Sequence, residues 1–143
     1  MSETNKALVR RLTEEGFNRG NQKVVDELLG NNFVYREPTL GEKRGPHAYK
    51  EVMNVYRTAF PDATITIEEQ IAEGDLVVTR WTAHGTHRGT LMGIAPSNKS
   101  VTVTGITLSR ISNGKIVEEI EAYDALGMLR QIGAVPATLT KAA

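Results

Sequence analysis

The sequence predicts an α+β domain in which helices pack on one face of an antiparallel sheet. Three observations carry the prediction. Apolar residues recur at helical spacing through the first sixty positions, the spacing changes to two from residue 64, and a short helical segment follows the last strand. Helices first and a meander of strands afterwards is the order that covers one face of a sheet. With 143 residues, 40% of them hydrophobic, the chain suits a single domain with one core, ordered over residues 3–135 with a loose tail at 136–143.

Each element has a local reason. Residues 3–18 read as a helix, with Leu8, Leu12 and Glu15 on one face and Ala7, Val9 and Phe17 adding apolar surface. The run "NRGNQ" interrupts it, and Asn21 can cap a second helix carrying Val24, Val25, Leu28 and Leu29. "NNFVYREP" (31–38) is a short extended piece and "LGEKRGP" (40–46) a loop. Pro46 suits the first position of a third helix, on which Tyr49, Val52, Met53, Tyr56, Ala59 and Phe60 follow at helical spacing until Pro61. Ile65 and Ile67 then alternate with threonines, "EGD" (73–75) turns the chain, and residues 76–87 form a strand rich in β-formers. Residues 89–100 begin as a strand and end as a loop, 100–111 and 115–123 are strands, and 125–132 is a helix closed by Gly133.

Composition excludes several functions. Lys plus Arg equals Asp plus Glu at 17 each, so no basic surplus points to nucleic acid or to a membrane surface. The absence of cysteine removes disulfides, thiolate metal sites and a thiol nucleophile. The polar N-terminal stretch has no apolar signal core, and no stretch is apolar enough to span a bilayer, so a soluble, cytoplasmic protein is expected. His84 and His87 stand three apart on a strand and point to opposite faces, no helical His pair exists, and no metal site is expected. No nucleophile-elbow motif is present.

The acids Glu118, Glu119, Glu121 and Asp124 crowd the end of the chain. Asp124 sits where a helix N-cap belongs, a role worth about 1 kcal/mol. The direction of the others depends on the last hairpin. A two-residue Asn113-Gly114 turn pairs Ile106 with Glu121 and mixes charged and apolar residues on both faces. A three-residue loop, Ser112 to Gly114, pairs Ile106 with Ile120 and Gly105 with Glu121. It puts Ile106, Leu108, Ile116 and Ile120 on one face and Gly105, Thr107, Ser109, Glu119, Glu121 and Tyr123 on the other. A one-residue slip flips every side chain, so the segregating register is the one predicted. The polar face is then either solvated or the floor of a pocket between sheet and helices.

Three stretches carry a family resemblance: "RWTAHGTHRGTLMGIAPSNKSVTVTGI" (80–106), "NGKIVEEIEAYDALGMLRQIGA" (113–134) and, more weakly, "FNRGN" with "GPHAYKEVMNVYRTAFPD" (45–62). The chain resembles the SnoaL-like polyketide and ester cyclases, within the nuclear-transport-factor-like α+β cone fold. The resemblance implies three N-terminal helices closing a curved antiparallel sheet into a cone, a short C-terminal helix and a deep pocket inside. It further implies a homodimer formed through the sheet's outer face, which would cover Ile106 and Ile120. The implied activity is that of a lyase or isomerase: an intramolecular aldol condensation of a polyketide methyl ester, using no metal or cofactor and binding a small hydrophobic molecule. An acid in the last strand, three residues before the Asp that opens the terminal helix, serves as acid/base in the family; here it is Glu121, where the cyclases carry Asp. The position of an assisting His falls on Thr107 and that of an Asn before a Pro on Glu37, while Ile120 stands where many relatives have Trp.

Glu121 is therefore the expected catalytic residue. Thr107, Glu37, Tyr35, Trp81, Tyr123, Met53 and Tyr56 are the expected ligand-binding residues. If Glu37 shares the pocket, two carboxylates can divide acid and base roles. Trp81, Met53 and the tyrosines serve core packing by the same surface that would wall a pocket. A non-catalytic binding module, or an isomerase or hydrolase of the same fold, would use the same site, because the fold hosts many activities.

Overall fold

The computed structural model describes residues 2–136; most of the tail expected to be loose (137–143) lies outside the described residues. Helix α1 (Ser2–Arg11) runs on through a wide π-helical segment (Leu12–Phe17), closed by a bond from Asn18 N–H to Thr13 C=O at 2.9 Å. Helix α2 (Gln22–Leu28) starts at Asn21, whose side chain accepts from the Lys23 and Val24 amides. Strand β1 (Leu29–Glu37) and a short β2 (Gly41–Arg44) follow, then α3 (Pro46–Ala59), with Pro46 at its first turn. Strands β3 (Thr64–Glu73), β4 (Leu76–Thr86), β5 (Ser100–Ser112) and β6 (Lys115–Tyr123) lead to α4 (Ala125–Gln131). At α4, Asp124 accepts from the Gly127 amide at 2.9 Å, the expected N-cap.

The helices and the later strands stand where the sequence puts them, and the described residues form a curved α+β fold with four α-helices and a six-stranded sheet. The sheet order is β2-β1-β6-β5-β4-β3. It is mixed rather than wholly antiparallel: β1 runs parallel to β6, with Tyr35 beside Glu119 and Arg36 beside Ile120. Between these two strands the chain makes α3 and four other strands, so their pairing is a long-range event that no local pattern announces. Residues 41–44, read as a loop, instead pair with the outer edge of β1, as a short charged edge strand does. Residues 89–99 form no strand. Leu91 and Ile94 bond each other across a tight turn that holds Met92 at φ 45° and Gly93 at φ 83°.

The last hairpin departs from the predicted loop. The turn has two residues, Asn113 and Gly114, both at positive φ, and Ser112 pairs with Lys115. A bulge then places Arg110 opposite Glu118 and leaves Val117 unpaired. Beyond it Ile106 faces Ala122, Thr107 faces Glu121 and Ser109 faces Glu119. The segregation of faces holds, but each partner lies two residues further along than predicted. Ile116, expected with Ile106 and Ile120, is fully buried opposite Ile111 on the other face.

The polar set faces inward. Ser109 and Glu119 are buried, and so are Thr79 and Thr107, whereas Ile71, Ile106 and Ile120 lie exposed on the convex side at 64%, 50% and 40%. The helices close the concave side. Asn18 exchanges two hydrogen bonds with the Ile65 backbone at 2.8 and 2.9 Å, and Arg57 donates to the Phe17 and Asn18 carbonyls. These bonds fasten the end of the first helix to the edge strand β3 and to α3. Apolar packing fills both ends of the concave side, with Phe33, Tyr35, Met53 and Val77 at one and Phe60, Leu91, Val103 and Met128 at the other. Each large side chain buried there stabilises the fold by about 1.5–3 kcal/mol before the entropy of ordering is counted.

Candidate active site

An open cavity lies between the sheet and the helices, its empty space of about 710 Å³ including solvent at the mouth. Its walls are almost entirely apolar or aromatic. Tyr49, Met53 and Tyr56 come from α3, Trp81 from β4, Val101 and Val103 from β5, and Met128 from α4. Tyr35, Tyr123 and Glu121 bring polar atoms to it, with His84 at the rim. A mostly apolar concavity with a few convergent polar groups is the usual form of a small-molecule site.

Glu121 is fixed at both oxygens. Tyr35 OH donates to Oε1 at 3.0 Å, and Thr107 Oγ1 donates to Oε2 at 3.1 Å. Thr107 in turn accepts from the Trp81 indole N–H at 2.9 Å. Burial raises the Glu121 carboxyl from 4.5 to about 7, and the bonds from Tyr35 and Thr107 hold it below where burial alone would put it. A carboxyl poised there can both take and return a proton at neutral pH.

The indole ring lies flat on β5 because its cross-strand partner is Gly105. A Cβ at Gly105 would sit 2.3 Å from Trp81 Cζ2, so only glycine leaves room for the ring. Tyr123, opposite Gly105 on the other side, stacks at a tilt 6.5 Å from Trp81 and meets the edge of Tyr56 at 6.2 Å.

A second carboxylate lies behind the first. Glu119 is buried and accepts from Ser109 Oγ at 2.6 Å. Burial raises it to about 8, with the charge of Glu121 adding to the effect. Burial also pushes the phenols of Tyr35 and Tyr49 well above their usual range, and both feel the charges of Glu119 and Glu121. These phenols are neutral donors at physiological pH.

Six of the expected site residues border the cavity: Glu121, Tyr35, Met53, Tyr56, Trp81 and Tyr123. Thr107 stands behind Glu121 and touches it. Glu37 is buried and is not part of the cavity wall. Its oxygens accept from the Thr39 amide at 2.9 Å and the Leu40 amide at 2.6 Å, so it braces the turn after β1. Thr39 then links that turn to the Tyr56 and Tyr123 hydroxyls at 2.9 and 2.8 Å. Two acids are coupled to Glu121: the charge of Glu37 raises it, and its own charge raises Glu119. Sequence parity had placed Glu119 on the right face, but its burial depends on helices far away in the chain. Tyr49, a possible wall by its helical spacing, lines the cavity.

His87, expected on a strand face, lies just past the end of β4 and is fully buried, accepting the Ser97 amide at Nδ1 and anchoring the following loop. Among the described residues no cluster of three or more His, Cys, Asp or Glu side chains could hold a metal ion. None of the described helices is long and apolar enough to cross a membrane.

A curved sheet capped by helices, with an acid at the floor of an apolar cavity, defines a pocket protein of the α+β cone class. The SnoaL-like polyketide cyclase family model matches residues 7–132, and the chain belongs to that family. It is 31% identical over 120 residues to the nogalonic acid methyl ester cyclase of Streptomyces nogalater, covering 82% of this chain and 89% of that protein. It is 30% identical over 131 residues to the aklanonic acid methyl ester cyclase DnrD of Streptomyces peucetius, covering 88% of each. Among solved structures, IdmH of Streptomyces antibioticus superimposes with a TM-score of 0.80 at 31% identity, covering 90% of this chain and 98% of that one. A SnoaL-like protein from Jannaschia sp. CCS1 reaches 0.87 at 26% identity, covering 94% and 95%.

Proposed function

We propose that this protein is an acid/base cyclase acting on a hydrophobic polyketide ester, with Glu121 as the group that moves the proton. The observation that carries the reading is a single carboxyl, poised near neutrality, at the floor of an otherwise apolar cavity. The ionised carboxylate takes a proton from a carbon next to a carbonyl and leaves an enolate. The enolate carbon forms a bond to a second carbonyl carbon of the same molecule, whose oxygen becomes an alkoxide. The alkoxide takes the proton back from Glu121, so the acid ends as it began and the product is an isomer of the substrate. Tyr35, Tyr56, Tyr123 and Trp81 would hold the ring system, and Met53 would adapt to its shape.

The test is incubation with nogalonic or aklanonic acid methyl ester, the compounds for which the two cyclase relatives are named, in deuterated buffer. The expected product has one more ring and, apart from exchanged hydrogens, the substrate's composition: the reacting carbon has given up one hydrogen for the new C–C bond, and the new hydroxyl carries solvent deuterium. Tight binding with no isomer formed would favour a non-catalytic binding module instead.

The reading includes pairing of two chains through the convex face. Ile71, Val78, Leu108 and Ile120 are successive cross-strand neighbours there, with Ile106 beside them. Such an apolar row on open water favours a partner. Ile106→Lys is expected to convert a dimer to a monomer in light scattering, and a wild-type monomer at high concentration would dismiss the pairing.

A further inference from the structure

The chain Trp81–Thr107–Glu121 has a direction. An indole N–H can only donate, so at the 2.9 Å contact Thr107 Oγ1 must be the acceptor. The one hydroxyl proton of Thr107 is then free for Glu121 Oε2 at 3.1 Å. An oxygen already receiving that bond stays the carbonyl oxygen when the carboxyl is protonated, because the hydroxyl oxygen of an acid is the weaker acceptor. The exchangeable proton therefore goes to Oε1. There Tyr35 OH, 3.0 Å away, can turn from donating to the carboxylate to accepting from the acid. We infer that Trp81 is a positioning residue: it fixes the donor direction of Thr107 and so divides the two oxygens of Glu121, Oε2 as held acceptor and Oε1 as the atom that exchanges the proton. Gly105 is part of the device, since it alone lets the indole lie where its N–H reaches Thr107.

The catalytic consequence rests on the acid/base reading of Glu121: the reacting carbon would have to approach from the Oε1 and Tyr35 side. The hydrogen-bond statement does not need that reading, and its test needs no substrate. The carboxyl carbon of Glu121 is followed by 13C NMR across pH in protein labelled at glutamate, its signal assigned by loss in Glu121→Gln. Titratable groups felt at or from Glu121 are Tyr35 and Glu37 of β1, Tyr49 of α3, and Glu119 and Tyr123 of its own strand, and none is changed by the variants used.

Thr107→Val removes the donor, and the Glu121 midpoint is expected to rise by about one pH unit, the usual weight of a hydrogen bond to a charged group. Trp81→Phe is expected to raise it by part of that amount, because the hydroxyl is no longer aimed. In the Thr107→Val background Trp81→Phe is expected to add nothing. A shift of equal size in both backgrounds would overturn the inference, since the indole would then act by volume or burial alone; so would no shift in the wild-type background. Should Trp81→Phe fold poorly, the chain's one tryptophan allows biosynthetic replacement by benzothienylalanine, which keeps the shape and lacks the N–H. The same outcomes apply to it. A cyclase reading that fails on turnover leaves these titrations standing, and the reverse also holds.

Discussion

Glu121→Gln is expected to lower turnover of a polyketide methyl ester by about 10²–10⁴-fold, the range a positioned general base contributes. Gln keeps the length of the side chain and an oxygen that can accept from Thr107, but it cannot carry the proton away. Binding should survive, because the cavity wall that would hold the ring system is apolar and untouched. Single-turnover kinetics beside a binding titration separate the two quantities. Wild-type activity should rise with pH through about 7, as the carboxyl ionises and becomes a base. Unchanged turnover in the Gln variant would remove Glu121 from the mechanism, and a profile with no limb near neutrality would mean that another group takes the proton.

Folding stability should fall as pH rises from about 5 to about 8. Glu119 and Glu121 are both raised in the folded protein, to about 8 and about 7 from 4.5. A raised carboxyl binds its proton more tightly when folded than when unfolded, so its stabilising effect is complete below 4.5 and is lost as pH climbs through the folded value. For the buried Glu119, a rise from 4.5 to about 8 is on the order of 3–5 kcal/mol at alkaline pH. Glu119→Gln is expected to flatten much of the slope and to stabilise the protein above pH 8. The surface acids Glu27, Glu42 and Asp62 are lowered and act only below about 4.5, outside this window. Denaturant melts from pH 5 to 9 on both proteins measure this, and parallel curves would show that Glu119 ionises freely in the fold.

Much of the frame was legible from local chemistry. Asn21 and Asp124 cap helices where short polar residues should, Pro46 opens α3, and alternation located the strands. What depends on distant contacts was not. The parallel pairing of β1 with β6 joins segments that carry no mark of each other, while the nearby edge strand 41–44 was hidden because its residues are charged and show no apolar alternation. The same limit shaped the site. The parity argument aimed Glu121 at the face that proved to be the concave one, and the family resemblance singled it out. Whether that face was wet could not be read from β6, because the residues that bury Glu119 come largely from other elements. Glu37, named by the family resemblance, braces the turn it precedes and meets the cavity tyrosines through Thr39, a contact that no local pattern announces.

The unpaired Val117 shows how narrowly the site is set. The Asn113-Gly114 turn fixes one phase for the hairpin, and continued without interruption that phase would put Ile120 opposite Thr107 and aim Glu121 at the convex side. One extra residue advances the strand by half a period, and every residue after it inherits the new setting. The carboxylate thus owes its address to a count rather than to any contact of its own. Read forward from the turn and backward from Tyr123, the alternation gives opposite answers, and the two agree only because the strand skips a beat between Ile116 and Glu118.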